Sequence, residues 1–347
     1  MASRTKRPLD CWSMLEVLEP LGVEPSERGA RPPAPGRGTP YGDVTTTAPV
    51  TVTRVESATG WWEFARRAPD RLLAGLVAGR CGYQEQCDGP LRRHLAAGSL
   101  VPLILSFGDR LDLLDKPGAE GAGRSYGSLV AGLHPGPAIT QVSGTQLAVQ
   151  VYLTPLGAYR ILGVPGAALA HRVDDLADVA PGLAWSLPDR LASLPTWSQR
   201  LALVDEVLAD MSDRGPEPDP LVSWLWSQLQ ASSGRVRIAD LVERSGWSHR
   251  HVTARFHDQV GVTPKAAARL IRFERAARSL ASRKPLAEVA ARHGYADQSH
   301  LTREFVGLAG HTPADYAAAR GAEHRGRDDL VKFAQDRNTC PAPTVEA

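Results

Sequence analysis

An α+β domain followed by an all-α domain with two helix-turn-helix units is the architecture this sequence predicts. Three observations predict it. Gly246-Trp247-Ser248, Val252-Thr253, Phe256 and Gly261-Val262-Thr263-Pro264 return as Gly294-Tyr295-Ala296, Leu301-Thr302, Phe305 and Gly310-His311-Thr312-Pro313. The offset is 48 residues at the first glycine and 49 from Val252/Leu301 onward, so the second copy carries one inserted residue. Upstream, the period-2 alternation of strands gives way to helical periodicity. Between these regions Gly215-Pro-Glu-Pro-Asp-Pro220 places three prolines in six residues, which cannot continue a helix and marks a linker over 215–220.

The 347 residues suffice for two domains. No run of about 18 apolar residues is present, so no membrane span is expected. Met1 to Pro8 is basic, but no apolar stretch follows before Pro20, which argues against a secretory signal and for a cytoplasmic chain. Cys11, Cys81, Cys87 and Cys340 lack paired metal spacing and read as inert thiols. The net charge of +2 is unevenly spread: residues 235–320 carry 15 Lys/Arg against 8 Asp/Glu, a surplus of +7, and the remainder sums to −5. A basic surplus coinciding with the repeat supplies sequence-independent attraction to phosphate.

Residues 1–60 read as a disordered Pro/Arg-rich tail, with Pro32, Pro33, Pro35 and Pro40 among Arg31, Gly36, Arg37 and Gly38. Order is expected from Trp61-Trp62, in a sensor or assembly domain over 61–214. Leu100 to Phe107 reads as a strand entering a turn at Gly108-Asp109, and Gln146 to Leu153 as a strand alternating at Leu147, Val149 and Val151. Pro155 opens a helix that Gly163 closes. Thr196 caps a helix carrying Leu201, Val204, Val207, Leu208 and Met211. After the linker, Leu221 to Leu229 forms a packing helix with Leu221, Leu225 and Leu229 on one stripe and Trp224 beside it.

The helix-turn-helix units are expected over 238–260 and 286–309. In the first, Ile238, Leu241 and Val242 face inward, Gly246 turns, Trp247 plugs the core and Ser248 caps the second helix. Val252 and Phe256 anchor that helix, which turns Arg250, Thr253, Ala254 and His257 outward at 100° per residue. Arg250 suits bidentate pairing with guanine; Thr253 and Ala254 suit a thymine methyl. In the second unit Leu286, Val289 and Ala290 support, Gly294 turns, Tyr295 takes the tryptophan's place and Asp297 caps. Leu301 and Phe305 anchor, leaving Gln298, Ser299, Thr302 and Arg303 outward, with Arg303 the foremost candidate for a base contact. Thr263-Pro264 opens a connecting helix through Leu280, whose rigidity would set the two units on groove segments about 34 Å apart. Thr312-Pro313 opens a closing helix whose amides could meet phosphate. His249, His251 and His257 resemble a metal stripe only superficially: His249 and His257 fall near one face but two turns apart, too far for joint ligation, so a solvated or phosphate-facing role is expected. Residues 321–347 read as a second disordered tail.

The stretch from about Leu221 to Arg320 resembles the DNA-binding domain of the AraC/XylS family of bacterial transcription regulators. Gly294-Tyr295, Gln298-Ser299-His300-Leu301-Thr302-Arg303-Glu304-Phe305 and Gly310-His311-Thr312-Pro313 carry the resemblance. The first copy departs from it: the family often has Arg where Ala254 stands and an apolar residue at Arg255, which shifts weight to Arg250 and Thr253. The resemblance implies double-stranded DNA as ligand and RNA polymerase as a protein partner. Val101 to Gly108, Leu162 to Gly166 and Asp174 to Leu176 resemble an N-terminal domain that precedes this module in high-GC bacteria. By family analogy it implies a cupin-like β-barrel that binds an effector or mediates homodimerisation.

An alternative makes the N-terminal half an enzyme or metal-dependent sensor, using Cys81, Cys87, His94, His134 or His171. None sits in a nucleophile or ligand motif, and Ser125-Tyr126-Gly127 is a turn, so neither enzyme activity nor a cofactor or metal is expected. A third reading treats this half purely as an assembly module through Trp61-Trp62 and the 196–212 helix.

Overall fold

In the computed structural model the described residues are 50–318, apart from 58–59, 68–69, 116–122 and 281–283. The two expected tails lie outside them, except that the expected N-terminal tail overlaps the first strand. Among the described residues nine antiparallel strands form one sheet: β1 (Thr51–Ser57), β2 (Gly60–Arg66), β3 (Val77–Leu95), β4 (Val101–Ser106), β5 (Leu111–Asp115), β6 (Arg124–Tyr126), β7 (Leu129–Ala131), β8 (Ala138–Leu153) and β9 (Val173–Asp175). Their main path is β1-β2-β3-β8-β4-β7-β9, with β5 and β6 off it. Folded structure is therefore present before Trp61, in a strand that pairs Glu56 with Trp61.

Two long strands create the domain's curvature. The first part of β3 (Val77–Cys87) pairs with the last part of β8, which also pairs with β4. After an irregularity between Cys87 and Leu91, the end of β3 pairs with the start of β8, which carries β5. The sheet thus folds into two facing layers. Gly144 sits at the bend of β8 with φ +74°, a conformation an L side chain rarely adopts, and a Cβ there would lie 2.5 Å from Asp109 Oδ2. A bidentate ion pair from Arg93 to Glu85 spans the bend of β3, with one contact of 2.8 Å.

The outer face of the first layer carries Ala65, Leu103, Leu105, Val149 and Val151, all fully buried. Helices cover it: α1 (Pro155–Leu162), α2 (Gly166–Leu169), α3 (Leu176–Val179), α4 (Pro181–Ser193) and α5 (Trp197–Arg214). Thr154 caps α1, accepting from the Gly157 N–H at 2.9 Å, and Gly163 closes it in the left-handed region. Thr196 caps α5, as its side chain predicts. Asp205 on α5 accepts from Arg67 at 2.8 Å and from Arg80, pinning helix to sheet through a buried carboxylate.

The C-terminal part is helical: α6 (Pro220–Ala231), α7 (Ile238–Ser245), α8 (His249–Val260), α9 (Pro264–Ser279), α10 (Leu286–Arg292) and α11 (Gln298–Ala309). On α6 the buried stripe is Val222, Leu225, Trp226 and Leu229, so the expected stripe shifts: Leu221 and Trp224 are only partly buried. One apolar cluster continues from the sheet through α1 and α5 into α6 and α8. Backbones meet where α2 abuts the end of α8: a Cβ on Gly166 would lie 2.4 Å from the Gln259 carbonyl oxygen. A second cluster joins α9, α10 and α11 to Ala96 and Ala97 of the N-terminal domain.

Candidate nucleic-acid interface

Each unit is a short helix, a left-handed glycine and a longer helix. Gly246 (φ +71°) and Gly294 (φ +73°) make the turns. Ser248 accepts from the His251 N–H at 3.3 Å, and Asp297 from the His300 N–H at 2.7 Å, so both second helices start on a side-chain cap. Their inner faces are set by Val252 and Phe256, and by Leu301 and Phe305, all at 0% exposure. Phe305 packs edge-on between Phe273 and Tyr316, with centroids 4.8 and 5.2 Å away.

With those anchors inward, Arg250, Ala254, Gln298, Ser299 and Arg303 are exposed, and Thr253 and Thr302 half-buried. All seven expected contact residues thus lie on the outer sides of α8 and α11. Neither Arg250 nor Arg303 has an ion-pair partner among the described residues. Thr302 donates its hydroxyl to the Gln298 carbonyl at 2.9 Å, which occupies that proton within the helix and offers the methyl outward.

Trp247 corrects its expected role: it is 54% exposed and stacks on His251 at 4.3 Å between centroids, rather than plugging the core. The equivalent Tyr295 does plug it, at 5% exposure, edge-on to His300 and under the Arg272 guanidinium at 4.9 Å. An indole is larger than a phenol ring, and the shorter turn of the first unit, which lacks the inserted residue, leaves it outside.

Two structural ion pairs escape a reading by outward residues alone. Arg255 reaches back to Asp219 at 2.6 Å, tying α8 to the cap of α6 and depressing the Asp219 carboxyl against the upward push of its burial. At the matching position of the second unit stands Glu304, 9% exposed, which accepts from Arg269 and Arg272 at 3.1 Å each. The repeat therefore keeps one pairing position with its charge reversed. A carboxylate beside Phe305, at the inward spacing of Leu301, is the signal in the sequence that could have revealed it. Burial likewise pushes the Glu274 carboxyl up; it sits on α9 and accepts from the Ser99 N–H at 2.6 Å and the Ser99 hydroxyl at 2.7 Å. The Ala97 N–H donates to the Leu308 carbonyl of α11 at 2.8 Å.

A helix-turn-helix domain model matches residues 241–319, covering most of both units. Residues 241–319 form an AraC-type helix-turn-helix domain. The chain is 32% identical over 107 residues to the HTH-type transcriptional regulator YbfI of Bacillus subtilis, covering 29% of this chain and 39% of that protein. Over 89 residues it is 34% identical to the HTH-type transcriptional regulator Rv1931c of Mycobacterium tuberculosis, covering 25% and 34%. The chain thus spans between a third and two-fifths of the length of these curated relatives. Among solved structures it is similar to the C-terminal domain of AraT from Geobacillus stearothermophilus (24% identity, 30% of this chain and 88% of that one, TM-score 0.28). It is also similar to ToxT from Vibrio cholerae (9% identity, 67% and 98%, TM-score 0.41).

Proposed function

We propose that the chain is a transcription regulator. It reads double-stranded DNA with α8 and α11, under the control of a domain that responds to a small molecule. The observation that carries this reading is the duplicated helix presenting an unpaired arginine on its outer side in each unit. A basic groove lies between the units, where Arg235, Lys265, Arg269 and Arg272 face His300 and Glu304. That surplus suits the phosphate backbone passing from one major-groove segment to the next. The joining helix α9 has 16 residues, roughly 24 Å of rigid rod. RNA polymerase and a second copy of the chain are the protein partners this reading implies, the work is cytoplasmic, and no catalytic step is needed.

The two reading faces differ. In the first unit Arg250 stands one residue past the start of α8 and Ala254 a turn later; in the second those positions hold Ser299 and Arg303. The bidentate donor is displaced by a helical turn between units, so the two half-sites are expected to differ in sequence. A fragment selected by the full chain from a random DNA pool supplies the assay. Arg250→Ala and Arg303→Ala should each reduce its discrimination against random DNA by about 1–3 kcal/mol in a mobility shift. A double variant that kept full preference for the selected fragment would overturn the assignment of these residues.

A further inference from the structure

Between the two layers of the folded sheet lies a cavity of about 110 Å³. An engineered apolar cavity of roughly 150 Å³ admits benzene, so this smaller space limits an occupant to a compact body. Its walls are mostly apolar, including Phe64, Leu100, Ile104, Leu113 and Leu133. The charged and polar lining comprises Arg66, Glu85, Arg93, His134, Thr140 and Gln150, with Tyr83 and Tyr152. Glu85 and Arg93 neutralise each other on one wall.

The Arg66 side has no such balance. Cross-strand pairing sets Arg66, Cys81, Gln150 and Ile104 in one row across β2, β3, β8 and β4, all lining the cavity. Tyr152 lies two residues from Gln150 on the same face, 1% exposed, and its hydroxyl reaches no partner at hydrogen-bonding geometry. Arg66 has no carboxylate partner among the described residues, and its buried Nε is unmatched. Burial pushes the Cys81 thiol up to about 12 and raises the Tyr152 phenol well above its ordinary value, so both keep their protons at neutral pH. The row therefore offers donors and one uncompensated positive charge, and lacks an anion.

We propose that this cavity binds a compact apolar monocarboxylate, its carboxylate held by Arg66 and Tyr152, and that residues 95–100 carry its occupancy to the AraC-type domain. This rests on the reading of the N-terminal domain as effector-responsive. The relay follows from how the connection between β3 and β4 divides its residues between the cavity and the helical part. Gly98 and Leu100 line the cavity, whereas Ala97 and Ser99 hold α11 and α9 through the contacts to Leu308 and Glu274. A molecule pressing on Gly98 and Leu100 displaces the residues that grip the helix joining the two reading units.

Benzoate and hexanoate, with benzyl alcohol, 1-hexanol and benzylamine as controls, are the probes for calorimetric titration of the full chain. Mobility shifts on the selected fragment follow each titration. The acids are expected to bind at least tenfold tighter than the alcohols and to change DNA affinity. Arg66→Gln should erase the preference for acid over alcohol. Tyr152→Phe should weaken acid binding without lowering the melting temperature, since it removes an unpaired hydroxyl. Ser99→Ala should leave acid binding intact and shrink its effect on DNA. Tighter binding of an alcohol or the amine, with a change in DNA affinity, would overturn the carboxylate while sparing the effector reading. Acid binding that leaves DNA affinity unchanged would overturn the relay and the effector reading. Binding by no probe would overturn the proposal, with DNA recognition by the apo chain standing separately.

Discussion

Truncating Phe305 to alanine is expected to cost about 3–5 kcal/mol of stability, the range for deleting a fully buried aromatic side chain. The ring is at 0% exposure and is held edge-on by Phe273 and Tyr316, so its neighbours come from α9 and from the segment after α11. Those elements cannot collapse into the void together without moving α11. The effect on function should exceed that of an outward substitution, because the orientation of Gln298, Ser299 and Arg303 depends on this anchor. Denaturant titration of the full chain reads the stability, and a mobility shift on the selected fragment reads the specificity. A loss under 1 kcal/mol would show that the second unit is held some other way.

Asp205→Ala should destabilise the N-terminal domain by about 3–5 kcal/mol, because removing one partner of a buried ion pair strands the other charge. Here two buried guanidiniums lose the same carboxylate. The side chains of Arg80 and Arg67 are 0% and 3% exposed, and Asp205 is their common carboxylate. Burial lowers Arg80 to about 10 even with Asp205 beside it, a measure of how much the guanidinium depends on that carboxylate. Burial also raises the Asp205 carboxyl, against the pull of both arginines, so the site is dominated by desolvation. It follows that replacing all three residues by apolar ones should recover much of what Asp205→Ala loses. A thermal melt compares them: a triple variant as unstable as Asp205→Ala would contradict this account.

The C-terminal architecture was legible because helix caps, left-handed glycines and 3.6-residue spacing are local signals, and the repeat stated them twice. Ser248, Thr263 and Asp297 all cap the helices that their positions predict. Trp247 was not legible, since one inserted residue in the partner turn decides whether an aromatic enters the core. The sheet was only partly legible. Of β8 the alternation exposes Gln146–Leu153, but Ser143 and Gly144 at the bend interrupt the pattern and hide the first half. β3 is covered on both faces, by helices outside and the cavity inside, and its Gly82, Gly89 and Pro90 read as turn residues. The Ser99–Glu274 contact joins residues 175 apart and left no local trace beyond a carboxylate at an inward helical position, and the cavity forms only where strands distant in sequence pair.

In the proposed function two different helices of one chain read two different stretches of DNA. Base-by-base substitution of the selected fragment, measured against wild type, Arg250→Ala and Arg303→Ala, tests it directly. Each variant should lose discrimination, by about 1–3 kcal/mol, at a single position, the two positions lying about one helical turn apart. Loss of discrimination at the same base pair in both variants, or in neither, would contradict the account.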